Sequence, residues 1–199
     1  MMKKTVLIIM ALVAAMSAGA QNLTVLHMND THSHIDPQRS GDYVGRGGVI
    51  EQAAFIDSVR VDDGKRNVLL MNAGDFGQGT SYFSEMNGDI EIDVMNSLGF
   101  DVVCLGNHEF DNGTAELARR LKNLKAKVVC ANYDFKDSHL EGLVHPYVIV
   151  KKAGMKIGVI GLLTDIRRVV DKKIAAEFSY IEPADVVNRY AEYLKNEKG

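Results

Sequence analysis

Three short polar stretches carry residue types that suit metal-assisted chemistry. Asp30-Thr31-His32 sets a carboxylate and an imidazole two positions apart, so both can point from one loop toward one ion. Gly74-Asp75-Phe76-Gly77-Gln78-Gly79 offers a single carboxylate among glycines, which let backbone and ligand approach closely. Gly106-Asn107-His108-Glu109-Phe110-Asp111 supplies an amide oxygen for a hard cation, then an imidazole, then a carboxylate three positions on. At that spacing Asp111 can meet His108 across one turn, orient its ring and favour its protonated form. Asp, Asn and Gly also populate loops because they tolerate turn geometry, so no single stretch is diagnostic. Jointly they are, since each begins where an apolar run stops.

Those apolar runs are the elements that must position the site. Leu23–Met28, Asn67–Asn72, Asp101–Leu105 and Lys127–Ala131 read as short buried strands. Between them lie helical spacings: Val49 to Val59, Ile90 to Leu98 stopped by Gly99, and Thr114–Leu124 with Leu117, Leu121 and Leu124 inward. Strand ends feeding polar loops before helices place ligands at the carboxyl edge of an open α/β sheet. Two further runs, Pro146–Val150 and Lys156–Leu162, flank Gly154 closely enough to be a β-hairpin. A last helix is expected from Pro183, a good first-turn residue. The predicted fold class is α/β, a mixed and mostly parallel sheet flanked by helices.

Composition bounds the molecule without naming its chemistry. With 46% apolar and 25% charged residues and a net charge of −3, the 199-residue chain fits one globular domain with a substantial core. No basic excess points to a nucleic-acid duplex as partner. Residues 1–20 read as a signal peptide: Lys3-Lys4, then an apolar run from Thr5 to Met16, then Ala18-Gly19-Ala20 before Gln21. That run is shorter than the roughly 20 residues of a membrane span, so export and no membrane association after cleavage are expected, in the periplasm or outside the cell. Cys104 and Cys130 either pair in that oxidising setting or serve as small buried residues on neighbouring strands; the second is preferred.

The combined motifs D-x-H, GD-x-x-x-G and GNHEFD resemble those of the calcineurin-like metallophosphoesterases. Within them, the chain is similar to the N-terminal domain of exported bacterial 5′-nucleotidases, a family that includes UDP-sugar hydrolases and 2′,3′-cyclic phosphodiesterases. Leu26–Asp30, Cys130-Ala131-Asn132 and Lys156–Leu162 extend the likeness over residues 22–199. The resemblance implies part of a four-layer αββα sandwich and two divalent metal ions, of Zn, Mn, Mg, Co or Fe. It implies that Asp30 and His32 bind the first ion, that Asp75 bridges both, and that Asn107 binds the second. His108 would stabilise the phosphoryl transition state or protonate the leaving oxygen, with Asp111 holding it. The substrate would be a nucleotide or another small phosphoester.

The family completes its site with later histidines and adds a C-terminal substrate-binding domain, and no histidine follows His145 in this sequence. The chain is therefore expected to carry the first half of a metal site, 21–199 being the N-terminal part of a metallophosphoesterase domain. On its own it would be the front of a hydrolase or a non-catalytic remnant binding metal or phosphate, needing further sequence or a partner chain. Of the other histidines, His34 is near the site, where it could touch solvent or substrate. His27, His139 and His145 are expected in surface or satisfied polar roles.

Overall fold

The computed structural model describes residues 22–198. Its frame is a sheet of five strands, in spatial order β1 (Thr24–Met28), β2 (Val68–Asn72), β3 (Val102–Cys104), β4 (Lys127–Val129) and β6 (Val144–His145). The short β5, Tyr133–Asp134, comes between the last two in the chain but lies outside this sheet. Every neighbouring pair in the sheet is parallel. Because all five run the same way, the loops after β1, β2 and β3 leave from one edge.

Side-chain alternation sorts the sheet into two faces. Leu70 and Val103 face α1 (Gly48–Asp63) and, beyond the short α2 (Ser81–Met86), α3 (Asp89–Leu98), through Ile56, Ile92, Met95 and Leu98. Val128 and Leu105 join the core under α4 (Thr114–Asn123) with Leu117, Ala118 and Leu121. The odd partners Val102, Cys104 and Val129 face the other way, onto Val148, Val150 and Val159. Those belong to the hairpin β7 (Tyr147–Lys152) and β8 (Met155–Ile160), whose turn residues Ala153 and Gly154 both have positive φ, as a two-residue hairpin turn requires. Helices, parallel sheet and hairpin thus form three stacked layers, in agreement with the expected fold class. The antiparallel part does not join the main sheet, since β7 and β8 pair with each other in a sheet of their own.

Gly99, at φ 71°, ends α3 by donating its N–H to the Met95 carbonyl at 3.0 Å, the stop its position predicts. The chain ends in α5 (Lys172–Ala175), β9 (Ser179–Tyr180), which pairs antiparallel with β5, and α6 (Pro183–Tyr193) with Pro at its start. The short elements α2, β5, β6 and β9 carry too few residues to show a period, so no sequence pattern announces them. Cys104 and Cys130 are free and buried. Cys104 pairs in register with Val129, so Cys130, one residue on, points to the opposite face and packs in the α4 core. The expected signal peptide lies outside the described residues. Among the described residues, no helix is long and apolar enough to cross a membrane.

Candidate metal centre

The β1–β2 pairing does not stop at the strand ends. Asp30, His32 and Ser33 donate backbone N–H groups to Gly74, Asp75 and Phe76 carbonyls at 3.0, 3.1 and 3.0 Å, so the first two loops are zipped together. This zipper forces unusual backbone: Asp30, His32, Ser33, Asp75 and Gln78 account for five of the eight non-glycine residues with positive φ among those described. Such conformations cost of order 1–3 kcal/mol each and gather where a site must be shaped. Here they turn the donor atoms of Asp30, His32 and Asp75 to within 4.8 Å of one another. His32 Nε2 lies 3.6 Å from Asp30 Oδ1. Two carboxylates with one imidazole suit a borderline or hard divalent cation, so the donor set fits the ion the sequence implies.

The third loop closes on the same point. A Cβ on Gly106 would lie 2.2 Å from Asp75 Oδ1, so only glycine allows the loop to come this close. Two residues on, the His108 N–H donates to Asp75 Oδ1 at 2.9 Å. Asn107 stands between those two contacts and opens the 3₁₀ turn His108–Phe110, its carbonyl accepting from Phe110 N–H at 3.2 Å. The His108 ring meets the His32 ring edge-on with centroids 5.2 Å apart. His108 Nδ1 is 2.8 Å from Asp111 Oδ2, and this hydrogen bond raises the imidazole pKa against a smaller opposing effect of burial. Contacts thus link Asp30, His32, Asp75, His108 and Asp111, and the Asn107 backbone lies in the same loop.

The remaining histidines are not among the clustered donors, although His34 adjoins them. His34 Nδ1 lies 3.1 Å from the Thr31 and His32 carbonyls, and the residue lines an adjacent cleft of ≈ 490 Å³ with Asp36, Arg39 and Tyr82. His27, His139 and His145 are exposed.

Several residues the sequence did not single out hold the loops. Glu109 is fully buried and accepts four backbone N–H groups, from Asp75 (2.9 Å), Phe76 (3.0 Å), Gly77 (3.1 Å) and Gly106 (2.6 Å). Burial pushes its carboxyl pKa up, and the amide donors oppose that. The buried Arg120 donates to the Glu109 carbonyl at 2.7 Å and lies over the Phe83 ring. Ser33 Oγ donates to buried Glu91, and Thr80 Oγ1 donates to the Ser33 carbonyl at 2.8 Å. For three of them the available signal was a charge in an apolar setting: Glu109 inside a strand-end motif, and Glu91 and Arg120 on the apolar faces of helices; Ser33 and Thr80 carried none.

The family model for calcineurin-like phosphoesterase matches residues 23–193. A probable 5′-nucleotidase of Treponema pallidum (strain Nichols) is 37% identical over 179 residues, covering 86% of this chain and 30% of that protein. The crystal structure of a 5′-nucleotidase precursor from Thermus thermophilus superposes with a TM-score of 0.80 at 36% identity, over 88% of this chain and 35% of that one. That of Haemophilus influenzae NAD nucleotidase superposes with a TM-score of 0.77 at 32% identity, over 88% and 32%. The chain thus spans about a third of the length of the proteins it resembles.

Proposed function

The chain belongs to the calcineurin-like phosphoesterases, hydrolases that use divalent metal ions, and from that premise we propose that it carries the ion-binding rim of a dinuclear 5′-nucleotidase. The observation that carries this reading is the convergence of Asp30, His32 and Asp75 donor atoms within 4.8 Å, with the His108 ring against His32. In it, Asp30 and His32 would hold one ion, Asp75 would serve both, and Asn107 would hold the second. Ions so held would neutralise the phosphate and lower the pKa of an attacking water.

The other steps fall to side chains. Asp111 occupies His108 Nδ1, which leaves Nε2 as the atom that faces substrate. A protonated ring there would donate to a phosphoryl oxygen or to the leaving oxygen, and the hydrogen bond to Asp111 favours that protonated form. The substrate is a nucleotide or a related small phosphoester, as the names of the relatives suggest. The chain is exported, with Gln21 as the mature N-terminus that mass spectrometry would read.

On this reading Asp30, His32 and Asp75 would give one ion three protein ligands, and Asp75 and Asn107 would give the other two, whereas catalytic ions of this kind generally hold about three. Residues 21–199 are therefore expected to bind one equivalent of Mn(II) or Zn(II) and to hydrolyse 5′-AMP near background, while a polypeptide completing the second subsite turns it over. Elemental analysis with a phosphate-release assay tests this. Failure of the chain to bind any divalent ion defeats the reading; two tightly held ions with robust turnover would show that the chain completes the site by itself.

A further inference from the structure

We propose that Glu109 is the positioning residue for Asp75, and that the four amides it holds set the affinity of the metal centre; the inference rests on the reading of Asp75 as a ligand. The geometry leaves the carboxylate no spare capacity. Oε2 accepts from Asp75 N–H and Gly106 N–H, and Oε1 from Phe76 N–H and Gly77 N–H, so each oxygen takes two donors. These four amides come from the two loops that meet at the site, and one of them belongs to Asp75 itself.

Asp75 needs such a hold. Its backbone sits at φ 51°, in the left-handed region that residues with a Cβ seldom occupy. Its Oδ1 is fixed from the other side by the His108 N–H at 2.9 Å. Glu109 therefore fixes the main chain of Asp75 and Gly106 together, so that both loops present their donors as one body. Glu109 is 0% exposed, so it meets neither solvent nor substrate and acts only through the residues it holds. Burying a carboxylate is costly unless its lone pairs are satisfied, and a core apolar residue would fill the space without that cost. What the acid adds is the orientation of four amides, which no apolar side chain can supply. Groups that orient metal ligands from behind typically alter affinity about 10–100-fold when changed.

Glu109→Gln separates this role from packing, because it keeps the shape but turns one acceptor oxygen into a donor facing other donors. In the full chain, the Mn(II) Kd measured by calorimetry is expected to rise about 10–100-fold. The Co(II) absorption spectrum should change with it, while the circular dichroism of the metal-free protein stays that of wild type. A Glu109→Gln protein with wild-type Mn(II) Kd and Co(II) spectrum, whatever its melting temperature, overturns the proposal. If wild type itself binds no Mn(II), the metal reading falls and takes this one with it, a result distinct from equal affinities. Should the variant fail to fold, amide hydrogen exchange of wild type decides. Slow exchange at Asp75, Phe76, Gly77 and Gly106 in metal-free protein supports the clamp; exchange at the rate of open loops overturns it.

Discussion

The loop after β1 and the loop after β3 both feed the candidate site, and they are built on opposite principles. The first runs along the surface, holds Asp30 with 56% of its side chain exposed, and reaches its shape through left-handed backbone at Asp30, His32 and Ser33. The second is one 3₁₀ turn whose Glu109 and Phe110 are both fully buried, with Arg120 underneath. One loop strains its backbone to aim its side chains and leaves Asp30 in water. The other fixes its backbone on a buried acid and presents His108 and Asp111, each about a third exposed, at its edge. On the proposed reading the contrast suits a division of labour: ligands that an ion would draw together can be strained, whereas a ring that would donate a proton must be in place beforehand.

The largest effects should separate the two jobs. Asp75→Asn removes the charged ligand that joins both loops, so bound metal and kcat of the completed enzyme should fall together. His108→Ala should lower kcat by roughly 10²–10⁴-fold while bound metal, read by elemental analysis, stays at the wild-type level. Loss of metal in His108→Ala would erase the distinction between the loops.

Next comes the core beneath the rigid loop. Phe110 is 0% exposed and meets Phe178 edge-on at 5.8 Å between centroids. Phe110→Ala should cost about 3–5 kcal/mol of folding free energy in urea titration. Ser33→Ala tests the strained loop in the same way. It strips buried Glu91 of the hydroxyl on Oε1, while Oε2 has no partner among the described residues. The expected cost is smaller, about 1–3 kcal/mol. Equal costs at the two positions would mean that the loops are not built differently after all.

This contrast was only half legible in the sequence. Asp30, His32, Asp75, Asn107, His108 and Asp111 stand out because each lies in a polar stretch that begins where an apolar run stops, and parallel strands bring such stretches to one edge. Their supports do not stand out. Glu109 is defined by amides 32–34 residues earlier in the chain, and Ser33 by a carboxylate 58 residues away, distances over which no local period carries information. The hairpin around Gly154 was legible because its pairing is local. Its stacking on Val102, Cys104 and Val129 depends on which sheet face the helices leave open, and β6 has only two residues in which to declare itself.

The smallest effect concerns the His108–Asp111 pair, and its sign is fixed by linkage. The folded pKa of His108 is raised above the ordinary histidine value of about 6.5, chiefly by its hydrogen bond to Asp111. The charged ring thus contributes stability that is fully present below the unfolded pKa and is lost as pH rises through the folded pKa. His108 and Asp111 are 32% and 33% exposed, so solvent screens the pair and its worth stays under about 1 kcal/mol. Asp111→Asn should bring the His108 pKa down toward its ordinary value, followed by NMR titration of the ring protons in metal-free protein. The stability deficit of that variant against wild type should be largest near about pH 5.5 and should fade above the folded pKa. A deficit that persisted at alkaline pH would assign Asp111 to loop structure rather than to the imidazole. It would also make the third loop a second strained scaffold instead of a preset proton donor.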